Sequence, residues 1–278
     1  MPVRQITIAH SPDSDDAFMF YALATNKLGT GGLKFKHVLN DIETLNQKAV
    51  RGEYEITAVS FHAYAYLTDK YLLLNSGASM GDRYGPMVVS QTPLKPGELK
   101  GKTIAVPGLR TTAFLILKLL ELDFTPRVVP FDKIFDSVIR GRVDAGLIIH
   151  EGQLTYKAAG LQKVVDLGEW WHKETRLPLP LGGNVVRKDL GPDLITQVSV
   201  VLRKSIQYAL DHRDEALNYA QQFAKELDPA LADKFVGMYV NERTLNYGAT
   251  ERKAVQLLLD MGHKKRIIDR AIHVEFAD

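Results

Sequence analysis

The sequence predicts an α/β fold of two lobes around a central cleft. Apolar runs that read as buried strands alternate with helix-patterned segments along much of the chain, the pattern of sheets covered by helices. Two breaker-rich connectors, at 77–86 and 177–183, assign residues 1–86 and 184–278 to one discontinuous lobe and 87–183 to the other. Two crossings between lobes make a hinge, and ligands favour such domain interfaces.

The first lobe opens with a strand over 3–10. The turn 11–16 is rich in helix-capping residues, and a helix begins at Ala17. A strand over 33–39, a helix over 42–50 capped by Asp41, and a short strand over 56–59 follow. Ser60 opens a helix carrying His62, Tyr64 and Tyr66, and 71–74 is a strand. The second lobe reads as a strand over 102–106, a loop over 107–112 and a helix over 113–122. A strand over 127–130 and a helix over 133–140 come next, then the apolar run 144–149, a helix near 154–159 and a strand over 163–167. After the second connector, 184–187 is a short strand and the rest is mostly helical, over 193–211, 213–226, 230–240 and 250–262. No fixed-period repeat or low-complexity tract occurs.

With 278 residues and 45% hydrophobic content the chain can build a substantial core. The net charge of +2, without a long basic run, argues against nucleic acid as a partner. The absence of cysteine excludes thiol catalysis and disulfides and fits a reducing compartment. The N-terminal residues lack the apolar stretch of a signal peptide, and no run approaches the ~18 apolar residues of a membrane span. The expectation is a cytoplasmic protein with a small-molecule substrate and no membrane partner, a homodimer being left open.

Chemistry is expected where strands end. His150 follows the buried run ending at Ile149, and in open α/β sheets such carboxyl ends face the ligand crevice. An imidazole there can move a proton near neutral pH; the competing reading is a histidine that only caps the strand end or bonds a neighbouring backbone. Thr111 and Thr112 stand at a predicted helix start, where free N–H groups and hydroxyls suit a carboxylate or phosphate, unless one threonine merely caps the helix. Ser60 raises the same pair of readings in the first lobe. Asp13, Asp15 and Asp16 read as turn and capping residues rather than a metal site, with Asp16 or Ser14 capping the helix and an arginine such as Arg83 or Arg110 meeting one acid. His150-Glu151 starts like the zinc motif H-E-x-x-H, but position 154 is Leu. Walker, G-x-G-x-x-G and G-x-S-x-G patterns are absent. Trp170-Trp171-His172 reads as a buried helix edge.

Leu99-Lys-Gly-Lys-Thr-Ile-Ala-Val-Pro107 resembles the strand that opens the second lobe of the type II periplasmic-binding-protein fold, and Arg140-Gly-Arg-Val-Asp-Ala-Gly146 its recurring turn into a strand. A more specific resemblance runs through Ile148-Ile-His-Glu-Gly-Gln-Leu-Thr-Tyr156, Asp41-x-Glu43-Thr-Leu-Asn46, Ser60 with Ala63-Tyr64-Ala65, and Gly85-Pro86-x-Val88-Val89. It continues in Ala105-Val-Pro-Gly108 with Thr111-Thr112-Ala113, Val165-Asp-Leu-Gly168 with Trp170-Trp171, and Leu177-Pro-Leu-Pro-Leu-Gly182. These segments resemble the 1,4-dihydroxy-6-naphthoate synthase family of the futalosine route to menaquinone. The resemblance implies a lyase without metal or cofactor acting on cyclic dehypoxanthine futalosine. It implies His150 as proton acceptor, and substrate contacts from Thr57, Ala58, Val59, Ser60, Thr111 and Thr112. The chain departs from the family in the turn Ser11-Pro-Asp-Ser-Asp-Asp-Ala17, where Ser-Pro-Cys-Pro-Asn-Asp-Thr is expected. A rival reading of the same fold is a non-catalytic solute-binding protein for a small carboxylate or other anion.

Overall fold

A computed structural model describes residues 4–223 and 228–277. The N-terminal part contains β1 (Arg4–His10), α1 (Ser14–Ala24), β2 (Leu33–Leu39), α2 (Ile42–Arg51), β3 (Ile56–Ser60), α3 (Phe61–Tyr64), β4 (Tyr71–Leu74) and β5 (Ser79–Gly81). The middle contains β6 (Met87–Ser90), β7 (Thr103–Val106), α4 (Thr112–Leu120), β8 (Thr125–Val128), α5 (Ile134–Ile139), β9 (Ala145–Ile148), α6 (Gly152–Thr155), β10 (Gln162–Asp166) and α7 (Leu167–Thr175). The chain returns through β11 (Leu179–Arg187) to α8 (Pro192–Asp211), α9 (Arg213–Ala220), α10 (Pro229–Tyr239), α11 (Glu242–Leu245), α12 (Ala249–Lys264) and β12 (Phe276–Ala277). The predicted start of the first strand and end of the helix 213–226 lie in part outside the described residues.

Among the described residues there are two sheets. The first runs β12-β4-β11-β3-β1-β2, with β5 also on β11, and the second β10-β6-β9-β7-β8. Neither is wholly parallel. β1 runs parallel to β2 and β3, and β7 to β8 and β9, as helical crossovers require. β11 lies antiparallel to β3, β4 and β5, and β6 antiparallel to β9 and β10, because these strands carry the chain across between lobes. The stretch predicted as a connector before residue 184 is thus the first half of a long strand. It contains Pro180, tolerated beside a register shift where β11 meets the short β5.

Local chemistry explains the elements that orient the cleft. β3 is buried along its whole length, so Ile56-Thr-Ala-Val-Ser60 shows no alternation. Asp41 caps α2 as expected, accepting the Thr44 N–H at 3.0 Å, and Gly52 ends that helix at φ 71°. α4 is apolar nearly all round because it is packed on several sides. Trp171 is fully buried and donates its indole N–H to the Pro178 carbonyl, matching the helix-edge reading. One apolar cluster joins the lobes: Phe61 and Tyr64, Phe114, Leu115 and Leu117 of α4, and Val255, Leu258 and Leu259 of α12 belong to it. Among the described residues no helix is long and apolar enough to cross a membrane.

Candidate active site

The cleft between the lobes encloses about 790 Å³ of atom-free space, partly continuous with solvent. Its walls come from the ends of β1, β3 and β9, the first turns of α1 and α4, the first half of β11, and α10. Ala58, Val59, Ser60, Thr111 and Thr112 all line it. Thr57 does not; it is buried, and its hydroxyl donates to the Ala58 carbonyl at 3.1 Å.

Ser60 is held from below by Asn46. The Asn46 side chain accepts the Ser60 N–H at 2.9 Å and donates to its hydroxyl oxygen at 3.1 Å. That hydroxyl can therefore donate its own hydrogen into the cleft. Thr111 caps α4, accepting the Phe114 N–H at 3.2 Å and donating to the Gly108 carbonyl at 2.9 Å. Thr112 donates to the Leu181 carbonyl at 2.5 Å and accepts the His62 N–H at 3.3 Å. Both hydroxyls are thus engaged within the protein. What the helix start offers an anion is the N–H groups of Thr112 and Ala113, which have no intrahelical acceptor. Gly108 lets the lobes approach here, since a Cβ on it would fall 2.2 Å from the Glu43 carboxylate.

Facing this cationic helix end is a wall of acids. Asp13, Asp15 and Asp16 line the cleft, and behind them Glu151 of the other lobe accepts the Ser14 hydroxyl at 3.0 Å. The capping expectation for this turn is corrected. Asp13 occupies the cap position of α1 without a capping bond, Ser14 bonds Glu151, and Asp16 accepts the Ser11 N–H at 2.7 Å. Arg110 does not meet these acids; its guanidinium lies 5.2 Å over the Tyr66 ring. Burial first, then the charges of Glu151 and Asp16, push the Asp13 carboxyl up to about 7. Burial pushes Asp16 up to about 6 and Asp15 well above the carboxylate range, with Asp16 and Asp13 adding to the latter. Among the described residues no set of three His, Cys, Asp or Glu side chains is placed to hold a metal.

His150 lies beside the cleft rather than in its wall, although its neighbour Ile149 lines it. The imidazole packs against Phe131 and Phe135, with centroids 5.5 and 6.1 Å away. Its Nδ1 accepts the Gly152 N–H at 3.0 Å, which leaves the neutral ring's proton on Nε2. Burial lowers its pKa, against the opposing charge of Glu151, so the neutral base form dominates at pH 7.

Sequence reasoning missed three contributors. Asn184, buried in β11, donates to the Gly77 carbonyl at 3.1 Å, while its Oδ1 has no partner among the described residues. Tyr239 lines the cleft from α10 and donates its hydroxyl to Gln153 at 2.7 Å. In the sequence Asn184 marks only the start of a short strand, because the preceding 177–183 read as a connector. Tyr239 and Gln153 carry no local signal, because their relation exists only across the closed lobes.

The profile of a family described as menaquinone biosynthesis matches residues 6–264. The 1,4-dihydroxy-6-naphtoate synthase of Thermus thermophilus is 42% identical over 256 residues, covering 92% of this chain and 93% of that protein. The protein of the same name from Streptomyces coelicolor is 37% identical over 265 residues, covering 93% of each. A crystal structure of an Archaeoglobus fulgidus protein superposes with a TM-score of 0.90 at 48% identity, covering 95% of this chain and 98% of that one. A Candida albicans gene product, described as exhibiting the generic periplasmic binding protein structural fold, superposes with a TM-score of 0.67 at 14% identity over 98% of each chain. That likeness shows the fold alone, a periplasmic-binding-protein-like one. With the profile spanning most of its length and two synthases matching it across both lobes, the chain belongs to the menaquinone biosynthesis family of enzymes.

Proposed function

We propose that the chain is a 1,4-dihydroxy-6-naphthoate synthase, a carbon–carbon lyase that converts cyclic dehypoxanthine futalosine to 1,4-dihydroxy-6-naphthoate without metal or redox cofactor. The observation that carries this reading is the match to two named synthases over both lobes. The cleft supports it chemically. The N–H groups at the start of α4 suit the naphthoate carboxylate. The acids of α1 and the Ser60 hydroxyl suit a hydroxyl-rich fragment at the other side, since carboxylates accept from hydroxyls and Ser60 donates to them. His150 is the proposed general base. It is neutral at pH 7, and turning its ring into the cleft breaks its bonds to the Gly152 N–H and to the Phe131 backbone, each worth about 1 kcal/mol.

The test is turnover of cyclic dehypoxanthine futalosine by the purified protein in the presence of a chelator, with naphthoate formation followed by chromatography. His150→Ala is expected to keep the fold and lose at least the ~10²-fold typical of a removed base. Binding of the substrate without turnover by the wild type would overturn the enzyme reading, and a fully active H150A would remove His150 from the mechanism.

A further inference from the structure

The turn that carries His150 is tied to the opposite lobe just after that residue: Glu151 accepts the Ser14 hydroxyl of α1 at 3.0 Å and Gln153 accepts the Tyr239 hydroxyl of α10 at 2.7 Å. The turn is internally stiff. The His150 carbonyl accepts the Gln153 N–H at 2.9 Å, the Glu151 carbonyl accepts the Leu154 N–H at 2.9 Å, and the His150 ring accepts the Gly152 N–H at 3.0 Å. Gly152 is required, because a Cβ there would fall 2.8 Å from the His150 ring and 2.9 Å from Phe135. Whatever holds Glu151 and Gln153 therefore holds His150.

We propose that Tyr239 and Ser14 form an inter-lobe latch, closing on Gln153 and Glu151, and that Tyr239 is a positioning residue for His150. The inference rests on the enzyme reading above for its effect on rate, but the latch itself is a property of the free protein.

Two features make the contact a latch rather than permanent packing. Tyr239 and Gln153 are only 3% and 4% exposed, so their bond is shielded from water in the closed form. Yet the Gln153 amide nitrogen is buried with no acceptor among the described residues. Water would satisfy that donor with the lobes apart, so closure is opposed at the same side chain that holds it. Ser14 works against a second opposing force, because Glu151 sits beside Asp13 and Asp15, whose ionisation its charge disfavours. Elsewhere the lobes are joined by the apolar seam of α3, α4 and α12, at whose edge the His62 N–H donates to Thr112 and the Arg110 N–H to Glu43, both at 3.3 Å. A stable seam with a finely balanced polar contact at the catalytic turn is a hinge with a releasable end.

The chain has no cysteine, so fluorophores can be placed on two introduced ones, at the exposed Lys36 of β2 and Val128 of β8. In the ligand-free protein, Tyr239→Phe and Gln153→Leu should each shift the distance distribution toward the open form. Each should lower kcat by roughly 3- to 10-fold, the worth of one net hydrogen bond, with a smaller change in KM. The double variant should be no worse than either single one, because both remove the same bond. Ser14→Ala should open the lobes and Ser14→Thr restore the closed fraction. An unchanged distance distribution in Y239F, or additive losses in the double variant, would overturn the latch. Should the wild type fail to turn over the substrate, the enzyme reading falls, while the distance measurement still decides the latch.

Discussion

Asp13 shows what a side chain becomes when its surroundings are set by a residue far away in sequence. As part of a turn it reads as a cap; in the structure it faces Glu151 and Asp16 in a buried wall and titrates near 7. Its folded pKa lies above its unfolded value of about 3.9, so the protonated form favours the fold. That stabilisation is complete below about pH 4 and is lost as pH rises through about 7, because the unfolded chain releases the proton first. Asp13→Asn, which keeps a polar group of the same shape, should therefore raise Tm most at pH 8 and least near pH 4. A gain at pH 8 of roughly 2–4 °C corresponds to about 1 kcal/mol. A difference in Tm that stays constant across that range in a thermal-shift series would show that Asp13 ionises freely. His150 illustrates the same limit of legibility. Its place at a strand end was readable from Ile148-Ile149, but the direction of its ring depends on Phe131 and Phe135, which no local pattern connects to it.

At the level of elements, the sequence was most readable where the signal is local. Asp41 and Gly52 mark both ends of α2, and the apolar run before His150 marks β9. It was least readable in β11, whose proline and glycines look like breakers, yet which pairs with three strands. α4 combines both situations. The threonine pair announced a helix start: Thr111 Oγ1 caps it, while the backbone N–H groups of Thr112 and Ala113 have no intrahelical acceptor. Thr111→Ala should accordingly cost about 1 kcal/mol of stability, measured by denaturant unfolding. In crystals soaked with 1,4-dihydroxy-6-naphthoate, the carboxylate should lie within hydrogen-bonding distance of the Thr112 and Ala113 N–H groups. A carboxylate found against another wall would show that the helix start serves the fold alone.

For the whole molecule, the alternation of strands and helices gave away the α/β class, but not the antiparallel strands β6 and β11, since a strand's direction is decided by how the chain crosses between lobes. That crossing has a thermodynamic counterpart. Each sheet has an apolar cluster of its own, but Phe61, Leu115 and Leu258 lie in a further cluster that the two lobes share. The protein should melt in a single calorimetric transition whose van't Hoff and calorimetric enthalpies agree, and two separable peaks would contradict this. The same continuity bears on inheritance and engineering. A segment such as 87–175, cut at its two crossings, would leave the inner face of α4 bare, so the lobes are not interchangeable cassettes. Recombination between relatives should succeed only where the donor supplies α3, α4 and α12 together.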